Sequence, residues 1–191
     1  MFDNELKAFY DNRELVSIHS DTSEYGSYAV GYIVGYNEAH YILALISPYG
    51  RYDGFVVRER KSIVSVEHGG KYENKIKRLA AYYKTEHEEL NLCEDDLQLS
   101  MLNFASERNF IVAIELDDGG YQDCIGYVKS IDTESDDKSC TISLIDEYGE
   151  NDGEAVLLID DITELSVNTE DEIRLKILHE AEKNKIKDRN T

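Results

Sequence analysis

Apolar and polar residues alternate through the first third of the chain in short segments that predict β-strands. Five such segments, rich in β-branched and aromatic residues, are separated by polar or glycine-containing turns. They cover residues 15–18, 29–34, 41–46, 55–58 and 63–66. Apolar residues also recur at helical spacing before the first strand (Leu6, Phe9, Tyr10) and after the last (Tyr72, Ile76, Leu79, Ala80, Tyr83). Each of these stripes predicts a helix.

The second half of the chain repeats this order. The sequence Tyr-Gly-x-x-Asp-Gly occupies residues 49–54 and again residues 148–153, ninety-nine positions later. An offset that holds across a turn, a strand and a helix predicts two copies of one small fold. The element itself could be a ligand loop, but its glycines suit the positive φ angles of a hairpin turn, which is our interpretation. The second set of strands is predicted at residues 111–114, 124–129, 141–145, 155–159 and 162–167.

The repeat divides the chain into segments. We assign residues 1–83 to the first repeat, 84–95 to an acidic linker or helix extension, 96–182 to the second repeat and 183–191 to a frayed tail. Gly31 and Gly126 lie inside the second strand of each repeat, where a glycine marks a bend or a bulge. The fourth and fifth strands are so close in sequence that a single 3₁₀ turn fits between them, with the sheet closing across it. These features predict a small closed barrel in each repeat.

The pattern resembles the Sm-like family. Residues 126–128, Asp132 and residues 143–144 are similar to the first motif of that family, and residues 57–63 and 158–162 occupy the place of its second motif. The resemblance implies a mainly β protein with flanking helices (α+β), built from two tandem five-stranded Sm-like small barrels, each with an N-terminal and a C-terminal helix. The Arg-Gly-Asn triplet with which that family typically grips RNA is replaced by Glu59-Arg60-Lys61 in the first repeat and by Asp160-Asp161 in the second.

Charge separates the two repeats. Residues 1–83 carry ten Lys and Arg against eleven Asp and Glu, whereas residues 84–191 carry ten against twenty-nine, out of a net charge of −20. Eleven of the fourteen tyrosines precede residue 84. The acidic half repels phosphate backbones, which disfavours nucleic acid as its partner, and it is also the surface expected of a well-solvated protein. The two copies therefore share a fold and differ in surface.

The predicted location is the cytoplasm. An odd number of cysteines (Cys93, Cys124 and Cys140) suits a reducing compartment, and the acidic N-terminus does not resemble a signal peptide. No apolar run reaches 18 residues, so neither a transmembrane helix nor membrane binding is expected.

The sequence carries no catalytic signature. The five histidines are scattered, and phosphate loops, dinucleotide fingerprints and nucleophile elbows are absent. Residues 132–143 begin like a calcium-binding loop, but Asp137 stands where glycine is needed and Ser143 where glutamate is needed. Cys124 and Cys140 could face each other on adjacent strands, which is more typical of a core than of a metal site. We therefore expect no enzyme, no cofactor and no metal.

The first repeat carries the candidate binding residues. Tyrosines are favoured at protein interfaces, and basic residues cluster after the fourth strand and along one face of the closing helix. The candidate site comprises Tyr49, Tyr52, Arg58, Arg60, Lys61, Lys71, Lys75 and Arg78. The leading hypothesis is a non-catalytic protein-interaction module that uses the first barrel to bind a protein partner or a second copy of itself.

Two alternatives stay open. The first barrel could bind single-stranded RNA by stacking bases on tyrosines and pairing phosphates with Arg58, Arg60 and Lys61. A cleft between the barrels could instead bind a small molecule or support hydrolysis. The tyrosines also have a purely structural interpretation, as half-buried strand residues.

Overall fold

The computed structural model describes residues 2–20, 28–116 and 124–189, without the side chains of Asp3 and residues 185–189. The first half of the chain contains α1, five strands and α2. Their bounds are α1 Asp3–Asp11, β1 Leu15–Ser20, β2 Tyr28–Tyr36, β3 His40–Ile46, β4 Tyr52–Glu59, β5 Ile63–His68 and α2 Lys71–Tyr83. A 3₁₀ turn, Arg60–Ser62, joins β4 to β5. The polar turns predicted at residues 21–26 and 117–120 lie outside the described residues.

The second half follows the same order after an irregular segment, residues 85–96. The bounds are α3 Leu97–Arg108, β6 Ile111–Glu115, β7 Cys124–Asp132, β8 Ser139–Ile145, β9 Asn151–Leu158, β10 Glu164–Val167 and α4 Glu170–Arg189. A second 3₁₀ turn, Ile159–Asp161, precedes β10. The protein is thus mainly β with four helices, as predicted. Among the described residues, none of these helices is both long and apolar enough to cross a membrane.

The ten strands form one open antiparallel sheet, in the order β5-β1-β2-β3-β4-β10-β6-β7-β8-β9. The prediction of two closed five-stranded barrels, and with it the assignment to the Sm-like family, is therefore wrong. Closure of a barrel requires the fourth and fifth strands of one half to pair, but β4 pairs with β10 of the other half, and β5 lies at an edge beside β1. The 3₁₀ turn was expected to let the sheet close across it. Instead, the turn connects β4 and β5, which are not paired with each other in the sheet.

The pairing of β4 with β10 follows from the composition of β4. Phe55 and Val57 point to one face of the sheet and Val56 to the other, and all three are almost completely buried. A strand that is apolar on both faces is an interior strand, so both of its edges need partners. Leu165 and Val167 of β10 extend the face of Phe55 and Val57 and are fully buried with them.

The helices cover this sheet in three places. The largest core surrounds α3, whose Leu97, Met101 and Leu102 contact residues of both halves of the chain. On the opposite face, Leu6 and Phe9 of α1 pack over β1 to β4. The third cluster joins α2 to the first half through Ile76 and Ala80, which contact Leu15, Val30 and Ile46. Since α3 bridges the halves, the sheet is a single packed unit at its centre.

Glycines in β2 allow the next strand to come close. A Cβ atom at Gly31 would lie 2.4 Å from the carbonyl oxygen of Ala44, on β3. The equivalent position in β7 is Gly126, where a Cβ atom would meet the backbone of Ser143. The predicted bulges also occur, but a few residues later, as register shifts between Ile33 and Gly35 and between Val128 and Ser130. The glycines therefore serve close backbone approach.

Gly31 and Gly35 both lie on β2, but Gly31 faces the backbone of β3 and Gly35 faces side chains. The same substitution should therefore have different effects at the two positions. Gly31→Ala should destabilise the protein by about 2 kcal/mol or more, because backbone atoms of β3 would have to move. Gly35→Ala should cost less than about 1 kcal/mol, because its Cβ would crowd only the flexible end of the Leu92 side chain and would meet Ile42 and Leu97 at ordinary contact distances. Urea unfolding followed by far-UV circular dichroism measures both. Equal losses for the two variants would contradict the close-approach interpretation.

Candidate functional site

The predicted site residues lie in four places. Tyr52 and Arg58 belong to β4, and Arg60 and Lys61 to the 3₁₀ turn after it. Lys71, Lys75 and Arg78 lie on α2, and Tyr49 lies in the turn before β4. Their environments differ so much that the eight residues do not form one surface.

Arg58 is part of the junction between the two halves. Its Nε and Nη2 donate to the two carboxylate oxygens of Glu164 on β10, at 2.6 and 3.2 Å, and only 11% of its side chain is exposed. Burial disfavours the charged guanidinium, but Glu164 and the nearby Tyr41 hydroxyl outweigh this effect, so the pKa of Arg58 is raised. Arg58 therefore contacts protein rather than solvent.

Three further candidates are also committed to contacts within the protein. Tyr52 packs edge-on against Phe55 with ring centroids 5.4 Å apart, and burial raises the pKa of its hydroxyl. Arg60 donates from Nη1 to the carbonyl oxygen of Asn37 at 2.6 Å. Lys61 pairs with Glu59 at 2.9 Å, although its side chain is largely exposed. Tyr52 thus packs at the start of β4, while Arg60 and Lys61 make their contacts at the 3₁₀ turn.

The basic residues of α2 are different. Lys71, Lys75 and Arg78 recur at helical spacing on one exposed face, which continues at Tyr82. Lys75 lies over the ring of Tyr72, with Nζ 4.6 Å from the centroid. With the residues that the structure describes, Lys71 and Arg78 form no ion pair. This face therefore presents cations that no described carboxylate neutralises.

Aromatic residues extend the basic face at the C-terminal end of α2. Tyr49 and Tyr82 are 76% and 80% exposed, and the rings of Tyr82 and Tyr83 contact each other edge-on at 5.2 Å. Arg51 lies flat on Tyr83, with Cζ 3.7 Å from the ring centroid, as in a cation–π contact. The turn that carries Tyr49 packs on the helix, because Gly50 lies against Leu79 and Ala80.

We call this region the α2 surface, composed of Tyr49, Arg51, Lys71, Lys75, Arg78, Tyr82 and Tyr83. Sequence analysis missed Arg51, Tyr82 and Tyr83 as site residues. The spacing of Lys71, Lys75, Arg78 and Tyr82 contained the signal, since it continues one helical face for three turns. Nothing in the sequence pattern places Arg51 over Tyr83, because that contact joins a turn to the end of a helix.

The matching region of the second half has another character. On α4, Glu170 and Ile177 stand where α2 has Lys71 and Arg78, and Glu182 stands where α2 has Tyr83. Ile177 is 61% exposed. The divergence in charge and tyrosine content between the halves is therefore concentrated, in part, on the closing helices.

A cleft of about 430 Å³ lies where β2, β3, β4, β10 and α2 meet. Its charged groups are engaged with each other or with backbone. Arg58 pairs with Glu164, and Asp53 accepts from the backbone N–H of Glu170 at 2.8 Å while burial raises the pKa of its carboxyl. Tyr28 donates to the hydroxyl of Tyr72 at 3.1 Å. Most polar groups of this lining are therefore paired within the protein, and Nη1 of Arg58 is buried without a hydrogen-bond partner among the described residues.

The described residues also contain no group of metal-binding side chains and no activated thiol. Within residues 2–20, 28–116 and 124–189, no three His, Cys, Asp or Glu side chains are grouped so that they could hold a metal ion. The three cysteines form no disulfide. Burial, with a smaller contribution from Cys124, raises the pKa of Cys140 to about 11, so this thiol is protonated at neutral pH.

In comparisons with known proteins, no family model, no curated protein and no solved structure matches the chain.

The position of Arg58 generates a stability prediction. Arg58→Met should lower the free energy of unfolding by about 2–4 kcal/mol, because it leaves the partly buried Glu164 carboxylate without a cation. The double variant Arg58→Met/Glu164→Met should recover most of the loss, since no uncompensated charge remains. Urea unfolding at neutral pH measures both variants.

The exposed pair Lys7–Asp11 on α1 provides the control. Lys7→Met should leave the urea midpoint unchanged, because solvent screens that pair. A midpoint for Arg58→Met equal to that of the wild type would show that the junction does not depend on this ion pair.

Proposed function

We propose that the protein is a non-catalytic protein-interaction module whose α2 surface binds an acidic segment of another protein. The observation that carries this proposal is the set of uncommitted cations on α2, flanked by exposed tyrosines, on a chain whose net charge is −20. Close to the α2 surface, these cations attract anionic groups and orient them, whereas the net charge of the chain repels the same groups elsewhere.

The composition of the α2 surface favours a protein partner. Tyrosines bury much area at low entropic cost, and arginine is enriched at interfaces. The stacked Arg51 and Tyr83 form a pre-arranged pair, so little side-chain freedom remains to be lost when a partner binds. The reducing cytoplasm is the location that fits an odd number of cysteines.

The RNA alternative combined tyrosine stacking with phosphate binding by Arg58, Arg60 and Lys61. Arg58 contacts Glu164 and Arg60 contacts Asn37, whereas Lys61 pairs with Glu59 but keeps most of its side chain exposed. Phosphate binding would therefore fall mainly to Lys61 and α2. We treat RNA as an outcome of the following test rather than as a second proposal.

Two neighbouring residues of α2 allow a matched experiment. Arg78 lies on the α2 surface, whereas Lys77 is exposed on the other flank of the same helix. Arg78→Glu should reduce recovery of the bound partner about tenfold, which corresponds to 1.4 kcal/mol, and Lys75→Glu/Arg78→Glu should abolish it. Lys77→Glu, with the same change of charge, should recover as much partner as the wild type.

The measurement is affinity capture from a lysate of the source cells, with and without nuclease, followed by mass spectrometry. A partner other than this chain, retained after nuclease and lost with Arg78→Glu, supports the proposal. Equal recovery by all variants contradicts it, and material that disappears with nuclease favours the RNA alternative.

A further inference from the structure

The contact that joins the two halves has a definite geometry. The fourth strand of the first half, β4, pairs antiparallel with the fifth strand of the second half, β10. In this register Val57 lies opposite Leu165 and Phe55 lies opposite Val167. Next to the paired strands, the Asp53 carboxylate accepts from the backbone N–H of Glu170, at the first turn of α4.

The same two strand positions occur once more, at the two ends of the sheet. β9 is the fourth strand of the second half and β5 is the fifth strand of the first half, and each pairs with a single described strand. Val156 on β9 is 72% exposed, whereas its counterpart Val57 on β4 is 1% exposed. The sheet thus has two open edges, a fourth strand (β9) at one end and a fifth strand (β5) at the other. A fourth and a fifth strand pair with each other at its centre.

Glycines make the comparison more specific. A Cβ at Gly54, which has a φ of +75°, would lie 2.5 Å from the Val167 carbonyl oxygen, so β10 is seated directly against this turn. The counterpart, Gly153, has a φ of +85° and nothing within 4 Å of its Cβ position. Gly69, the counterpart of Asn168, also has nothing within 4 Å. Gly153 therefore keeps the positive φ of Gly54, and the space that β10 occupies beside Gly54 is open beside Gly153.

A capping group repeats as well. Asp152 is the counterpart of Asp53, and Lys71 is the counterpart of Glu170. The N-cap residue of α2 is Gly70, which has no side chain to cap the helix, and the Lys71 backbone N–H donates to no residue that the structure describes. The Glu73 carboxylate accepts from the backbone N–H of Gly70 and not from that of Lys71. An aspartate placed as Asp53 is placed would accept from that N–H and lie beside the Lys71 ammonium. Carboxylates are favoured at a helix N-terminus for both reasons.

We propose that β9 of one chain pairs antiparallel with β5 of a second copy of this chain, in the register of β4 with β10. Val156 then lies opposite Val66, Glu154 lies opposite His68, and the Asp152 carboxylate caps α2 of the neighbour at Lys71. The contact is head to tail, so it leaves one edge open on each outer chain and continues until the assembly closes into a ring or grows into a fibre.

Charge favours a second copy in this orientation. The contact places an acidic second half against a nearly neutral first half, whereas pairing two β9 edges would bring two halves with a charge of −19 together. Val156 and Val66 supply the apolar contact that Val57 and Leu165 supply at the centre of the sheet. A strand of another protein could pair with β9, but it would need to be followed by a helix whose first turn offers Asp152 a free N–H and a cation, as Lys71 does.

Light scattering after gel filtration tests the association. The wild type should show a mass that is a multiple of one chain and that rises with concentration in the micromolar range. Val156→Lys should elute as one chain at the same concentrations, because it places a charge opposite Val66. Ile177→Lys, at another exposed apolar position that lies on α4 and not on the β9 edge, should behave as the wild type. A single-chain mass for the wild type at several hundred micromolar overturns the proposal.

Disulfide trapping tests the register and does not depend on the α2 surface. In a Cys93→Ser background, a Val156→Cys chain is mixed with a Val66→Cys chain under mild oxidation. Cβ atoms opposite each other on antiparallel strands lie within reach of a disulfide, so the mixed dimer should dominate. Replacing the Val66→Cys chain by Tyr82→Cys should abolish it. A predominance of Val156→Cys homodimers, or equal trapping by Tyr82→Cys, overturns the register.

Discussion

The pairing of β4 with β10 is the contact on which the rest of the structure depends. β4 is apolar on both faces, so its open edge could not remain in water without exposing a row of backbone groups beside buried side chains. β10 pairs with that edge, and the bidentate ion pair of Arg58 with Glu164 joins side chains that lie opposite each other in the same register. Helix α3 can then contact both halves at once, so the largest core contains residues of both.

This constraint also makes the two halves unequal. The first half gives its fourth strand to the junction and keeps its fifth at an edge, while the second half does the reverse. Identical positions in the repeat therefore have opposite environments, as Val57 and Val156 illustrate. The burial of a residue in this protein is decided by which half it belongs to as much as by its side chain.

The sequence predicted the local elements well, because they depend on local physics. Alternation gave the strands, helical spacing gave the four helices, and the Tyr-Gly-x-x-Asp-Gly element marked a hairpin with positive φ at Gly50 and Gly54. Alternation does not record which strand lies beside which. The partner of β4 is about a hundred residues away, and choosing β5 instead converts an open sheet into a pair of barrels. That one non-local pairing accounts for the error in fold.

The candidate site shows the same limit at the level of side chains. Arg58 and Arg78 are indistinguishable as basic residues in a sequence, yet Arg58 is held by Glu164, and Arg78 faces solvent. Helical spacing was enough to group Lys71, Lys75 and Arg78, because they share one element. The contact of Arg51 with Tyr83 joins two elements, so it became visible only when the turn was packed on the helix.

The two proposed contacts of the first half are compatible because α2 is long enough to serve both. Its thirteen residues span about 20 Å at 1.5 Å per residue. Lys71 lies at the N-terminal end, beside the β5 edge, and Tyr82 and Tyr83 lie at the other end. A neighbouring chain bound at β5 would neutralise Lys71 and bring its own acidic half close to α2. It would leave the aromatic end accessible, while its negative charge would oppose an acidic partner there. Self-association should therefore weaken partner binding at the α2 surface by charge rather than by overlap, and added salt should relieve the effect.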